Sequence, residues 1–125
     1  MAMTPEGRVK HAARKMLKRY GVYSFAPVTG GFGVSGVFDL VACINGRFLG
    51  IEFKSDDGKR PTALQIGNAM RCMAAGGVAL LIHKDNLDVL ERVVRVMQEN
   101  TAADMSHSLS DWPYTTLPGE NISEK

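Results

Sequence analysis

A chain of 125 residues, 45% hydrophobic and 22% charged, has the length of one domain and the composition of an ordinary globular protein. It holds no apolar run near the roughly 18 residues that span a bilayer, no apolar N-terminal stretch of the kind a secretory signal needs, and only two cysteines, Cys43 and Cys72. An integral membrane protein, a disulfide scaffold and a four-ligand zinc site are excluded, and His11, His83 and His107 share no metal-ligand spacing, so a reducing cytosol is the expected location.

The net charge of +2 conceals an asymmetry, for residues 1–71 carry eleven Lys/Arg against five Asp/Glu and residues 72–125 carry four against eight. A basic half suits a polyanionic partner; a solvated helix face is the plain alternative.

Thr4-Pro5-Glu6 reads as a helix start, with an N-cap hydroxyl, proline at the first helical position and an acid in the first turn. Val9, Ala13, Met16, Leu17 and Tyr20 follow a helical period to a stop at Gly21, while Arg8, His11, Arg14, Lys15, Lys18 and Arg19 take the other side. Glu6 falls within the apolar stripe, an odd place for an acid, and so is expected to point at the body of the protein.

Residues 22–26 alternate like a short strand, and residues 27–36 (PVTGGFGVSG) form a glycine-rich loop in which Phe32 could wedge against a base or a strand end. Residues 37–44 and 47–54 flank Asn45-Gly46, the preferred pair for a two-residue type I′ hairpin. Residues 62–75 read as a second helix, with Thr62 and Gln65 at capping-box spacing and Gly76-Gly77 at its end. The continuous apolar run of residues 78–83 is expected to be a buried strand, and Asp85 or Asn86 to cap a third helix through Glu99. From Thr101 periodicity stops, so residues 101–125 are expected to be an irregular arm or a disordered tail after a single domain of residues 1–100. The order α-β-β-β-α-β-α, with the second helix as a crossover, predicts an α/β domain whose mixed sheet is flanked by helices.

A two-residue turn fixes the hairpin register, and it sets Asp39 opposite Glu52. Alternation then puts Val37, Asp39, Val41 and Cys43 on one face with Phe48, Gly50, Glu52 and Lys54. The other face, Phe38, Leu40, Ala42 and Ile44 against Leu49, Ile51 and Phe53, reads as core. Two opposed carboxylates are destabilising unless a cation lies between them. Lys54 on the same face is part of the answer, and a hard divalent cation, Mg²⁺ or Mn²⁺, is the remainder. The plain alternative is a half-buried salt-bridge cluster.

Asp39 followed after a hairpin by Glu52-Phe53-Lys54 resembles the PD-(D/E)xK nuclease signature. With Gly36-x-x-Asp39-Leu40, Gln65 on the next helix and Gly76-Gly77 before an apolar strand, residues 4 to 85 resemble the VRR-NUC (virus-type replication-repair nuclease) branch, with Phe38 where that pattern has proline. The resemblance implies a single-domain restriction-endonuclease-like fold. It also implies metal ligation by Asp39, Glu52 and the Phe53 carbonyl, and a water-activating, charge-offsetting role for Lys54. Glu6 would hold a second metal or its waters, against ordinary first-turn dipole compensation; Gln65 would sit near the metal-bound water, against a plain capping-box role. The activity implied is Mg²⁺- or Mn²⁺-dependent hydrolysis of DNA phosphodiesters, on branched or duplex DNA such as four-way junctions. Stand-alone proteins of this kind are often phage-encoded, which would make the location the host cytosol. One site cuts one strand, so symmetric cutting of a junction calls for a homodimer. The competing function is a non-catalytic nucleic-acid-binding protein on the same fold. A nucleotide-binding enzyme is disfavoured, because the glycine-rich loop lacks the phosphate-loop pattern and does not open onto a helix.

Overall fold

The computed structural model describes residues 3–28, 36–56, 58 and 60–99. Helix α1 (Pro5–Arg19) starts where the capping signals place it, with Thr4 Oγ1 accepting from the Gly7 amide at 3.0 Å, and it buries Val9, Ala13, Met16 and Leu17. The short strand β1 (Tyr23–Phe25) precedes β2 (Leu40–Ile44) and β3 (Arg47–Phe53). Asn45 and Gly46, at φ 54° and 80°, make the hairpin turn between β2 and β3, both in the left-handed region that a type I′ turn requires. Helix α2 (Ala63–Ala74) has both hydrogen bonds of its capping box, and it crosses over to β4 (Val78–Ile82) before α3 (Leu87–Glu99). The sheet order is β1-β2-β3-β4, antiparallel except for the parallel β3–β4 pair. The protein is thus α/β, a four-stranded mixed sheet flanked by helices.

Helices α1 and α3 cover one face of the sheet, over Leu40, Ile44, Leu49, Ile51, Leu80 and Ile82; α2 covers part of the other, over Val41, Ala79 and Leu81. Burying one such aliphatic side chain contributes about 1.5–3 kcal/mol, so these two clusters hold the sheet between its helices. The expected placement of Phe38 is overturned, because it belongs to the α2 cluster and not to the face of Leu40 and Ile51. The reason is that β2 begins only at Leu40. Residues 37–39 escape strict alternation, and the Phe38 ring lies flat over Gly50, where a Cβ would overlap it. Gly36, at φ 83°, makes the other close approach: a Cβ there would lie 2.7 Å from the Leu64 carbonyl. The segment leading to Asp39 is thereby held against the first turn of α2.

The third helix is not capped as expected. Lys54 N–H donates to Ile82 O at 3.0 Å, so Ile82 faces β3 while the peptide groups of Leu81 and His83 face the open edge of the sheet. Asn86 closes that edge with its side chain, its Oδ1 accepting from the His83 amide at 2.7 Å and its Nδ2 donating to Leu81 O at 3.0 Å. Its carbonyl, not its side chain, receives the Val89 amide at the start of α3.

The Phe38–Gly50 contact sets a stability test. Gly50→Ala should cost about 1–3 kcal/mol by overpacking, read as a lower urea midpoint at unchanged slope. The same step made in a Phe38→Ala background should be close to neutral. An equal cost in both backgrounds would show that the ring is not what Gly50 makes room for.

Candidate metal centre

Alternation along β3 turns Gly50 and Glu52 to the α2 face, and the Glu52 side chain is fully buried there. The hairpin pairs Leu40 with Ile51 through to Ile44 with Arg47, and one step beyond that ladder Asp39 lies beside Glu52. The Asp39 amide donates to Ile51 O at 3.0 Å and to Glu52 Oε1 at 3.2 Å. In return the Phe53 amide donates to Asp39 Oδ2 at 2.9 Å. Since Lys54 N–H is directed at β4, the N–H and C=O of Phe53 face β2's side of the strand. β2 has not yet begun at that level, and the Asp39 carboxylate takes the place of a strand peptide. The Phe53 carbonyl therefore lies on the same side as Asp39.

One oxygen of this arrangement has no partner: Glu52 Oε2 is buried and unbonded. Burial first, and the neighbouring Asp39 carboxylate second, push the Glu52 carboxyl up to about 8, against the opposing pull of the Asp39 amide and the Lys54 charge. A buried ionised carboxylate with an unbonded oxygen is costly, and two remedies exist. At neutral pH a proton on Glu52 removes the charge; a cation between the two acids would keep both ionised. The donors present (two carboxylates and a backbone carbonyl) are hard oxygens, which suit Mg²⁺ or Mn²⁺ completed by water and phosphate. Among the described residues no group of three or more Asp, Glu, His or Cys side chains is placed to hold a metal, so such an ion would have only the two carboxylates and the Phe53 carbonyl as protein donors. Glu6, in the first turn of α1 and only partly buried, does not form a three-member group with Asp39 and Glu52, so nothing in the geometry supports a second ion there.

Asp39 opens onto a cavity of about 510 Å³ that Lys10, Gly36, Thr62 and Gln65 also line. Gln65 is at the site and is also a true capping-box residue. Its Oε1 accepts from the Thr62 amide at 2.8 Å, which leaves its NH₂ as the group it can offer to a ligand. Lys10 is absent from the sequence-based site, although its i, i+4 spacing to Arg14 and then Lys18 is the signal that marks it. A second groove of about 630 Å³ runs between α1 and β1, lined by His11, Arg14, Lys15 and Lys18 with Val22 and Ser24. Arg8, though exposed, is not in that lining, and Arg19 turns to Glu91 of α3 at 3.5 Å and over the Tyr20 ring. Tyr20 donates to the same Glu91 carboxylate at 2.6 Å, so Arg19 belongs to the α1–α3 contact. Phe32 and residues 101–125 lie outside the described residues. Cys43 is exposed, and burial pushes the Cys72 thiol up to about 11, so Cys72 is no thiolate nucleophile at neutral pH.

Comparison with known proteins finds no matching family model, no similar curated protein and no similar solved structure. Among the described residues no helix is long and apolar enough to cross a membrane.

The raised Glu52 carboxyl predicts an inverted pH dependence of stability. Between its ordinary value of 4.5 and about 8, the folded protein holds a proton that the unfolded chain has already released. The folded state binds more protons there, so in EDTA this group's contribution to stability should fall as pH rises through that window, by up to about 1.4 kcal/mol per unit. Thermal melts of Glu52→Gln against the parent should differ in slope by that amount. Mn²⁺ should raise the parent's midpoint most at the alkaline end, releasing about one proton per ion below pH 8, and should leave the variant's midpoint where it was. Parallel pH profiles, or equal Mn²⁺ stabilisation of both, would contradict the assignment.

Proposed function

We propose that this protein is a Mg²⁺- or Mn²⁺-dependent endonuclease that hydrolyses DNA phosphodiesters, as its VRR-NUC-like residues imply. The observation that carries the reading is the buried, partnerless Glu52 Oε2 beside Asp39 and two residues before Lys54. A bound divalent cation would supply Lewis-acid stabilisation of the phosphate and acidify a water.

The chain's own residues do the rest. Asp39 and Glu52 provide two fixed anionic donors, held in place by the Phe53 and Asp39 amides. The Phe53 carbonyl, rigid within the strand, is a neutral third donor. Lys54, the next residue on the same face as Glu52, presents an ammonium that orients the attacking water and offsets charge building on the phosphate. Gln65 offers its NH₂ to a water or a phosphate oxygen from the mouth of α2, and Lys10 offers a cation from the opposite wall. Away from the cavity, Lys10, Arg14 and Lys18 continue as one i, i+4 row about 12 Å long, with His11 and Lys15 beside it along β1. Such a row tracks a phosphate backbone without reading bases.

Structured or branched DNA, four-way junctions included, is the substrate class proposed. One site cuts one strand, so symmetric cutting of a junction takes two copies about a two-fold axis.

Catalysis and binding separate through three variants. Asp39→Ala should abolish Mn²⁺-dependent cleavage of labelled junctions while the protein stays folded. Lys54→Met should lower single-turnover cleavage by about 10²–10⁴ while calorimetric Mn²⁺ binding persists or tightens. Cleavage by either at the parent rate refutes the site.

Arg14→Glu with Lys18→Glu should weaken binding of every DNA shape alike and flatten its salt dependence, by about one unit of log–log slope for each phosphate no longer neutralised. Unchanged low-salt affinity in a gel-shift titration would return this face of α1 to solvent.

A further inference from the structure

Among the described residues, the α2 face of the sheet is only half covered. Helix α2 packs over Ala79 and Leu81 of β4 and reaches Val41 of β2, whereas Tyr23, Phe25 and Phe48 stand on the same face, 70%, 50% and 45% exposed. Their common face follows from the register, since Tyr23 pairs with Cys43, Phe25 with Val41 and Cys43 with Phe48. Between Phe48 and α2 lies an apolar cavity of about 510 Å³, floored by Phe38 and Val41, with Asn68 and Arg71 of α2 in its wall. This volume is in the range of small-molecule sites, and one polar amide with one cation on an apolar, aromatic lining is the usual make-up of such a site. The cavity adjoins the metal-centre cavity directly: Pro27, Val37 and Phe38 line both.

We propose that this cavity is a nucleobase subsite, which takes the unpaired base of a nucleotide flanking the scissile phosphate. The subsite rests on the nuclease reading for where that phosphate lies. A phosphate held at Asp39 leaves the adjacent nucleotide beside the Phe38 wall. Phe48 offers an exposed ring face for a base, tilted 50° to the Phe38 ring at 6.1 Å, and Asn68 can read the base's hydrogen-bonding edge while Arg71 meets the following phosphate. A base inside a duplex is stacked and paired, and extracting it costs energy that an already unpaired base does not require. The subsite therefore selects DNA with an unpaired nucleotide at the cut, as at a branch, flap or gap.

The test reads binding in EDTA, where no cleavage occurs. The full chain is titrated by fluorescence anisotropy with a set of short single strands, each carrying one abasic position. One position should lower affinity about 5- to 150-fold, the range for losing one stacked base. Phe48→Leu, which keeps apolar volume and the fold but removes the ring, should lose a similar factor on the intact strand and lose little more on the abasic one. A flat abasic scan, or parent-like binding by Phe48→Leu, overturns the subsite. So does a Phe48→Leu variant that binds every strand like the parent but sediments as a smaller species, which would make this face a contact between copies. Junction cleavage with a flat scan removes the subsite and leaves the nuclease reading standing. Base-dependent binding by a chain that cuts no DNA with Mn²⁺ removes the nuclease reading and retains a base-binding site.

Discussion

A carboxylate buried in a sheet with one oxygen unbonded is the constraint around which this domain is organised. Glu52 sits mid-sheet between the hairpin and β4, and its neighbour across the hairpin is another acid. Like charges so placed repel, and burial prevents water from screening them. A fold selected for stability alone would put an apolar residue at this position. Glu52 is tolerated because Asp39 and Phe53 lend their amides and because a proton or a cation can complete the pair. Violations of this kind concentrate at functional sites, where strain is retained for chemistry.

The same pair shapes the backbone. In a regular hairpin β2 would run on through Asp39, and the Phe38 peptide would meet Phe53. Instead the Asp39 side chain receives the Phe53 amide, the ladder stops at Leu40, and Phe38 is released to the α2 face. That exchange opens the end of the sheet where the Asp39 cavity lies, between α1 and the first turn of α2. It also gives Phe38 its place as the wall between two cavities. A proline at position 38 could not supply that aromatic wall, so the residue by which the motif departs from the VRR-NUC pattern has its own structural role here.

What is legible in the sequence is local in origin. The Asn45-Gly46 turn, the Thr4 cap, the Thr62–Gln65 capping box and the crossover length of α2 depend on a few neighbouring residues, and each stands as expected. The juxtaposition of Asp39 and Glu52 is legible too, since a two-residue turn leaves only one register. The misplacements all depend on tertiary partners. Phe38 follows a broken ladder; Asn86 is drawn to the open edge of β4; Arg19 is drawn to Glu91 on a helix distant in sequence. Glu6 obeys its helical stripe, but the stripe says only that a residue faces inward, and Glu6 forms no three-member acidic group with Asp39 and Glu52. Periodicity alone leaves Lys10 between the apolar and basic faces of α1, and the adjacent cavity decides which it joins.

Under the nuclease reading proposed for this chain, the two faces of the sheet would also divide the labour of recognition. Along the α1–β1 seam the lining is cationic and backbone-directed, suited to any stretch of nucleic acid. Around the end of the sheet, past Asp39, the lining becomes apolar and aromatic, suited only to a base that has left its stack. A continuous duplex can satisfy the first surface but not the second, whereas a free single strand can fill the second but presents no rigid backbone to the first. Only DNA that changes from paired to unpaired at the scissile phosphate matches both surfaces at once. On that reading, discrimination comes from the transition between two surfaces set on either side of the Asp39 cavity, which Lys10 of the α1 row lines on one side and Phe38 on the other.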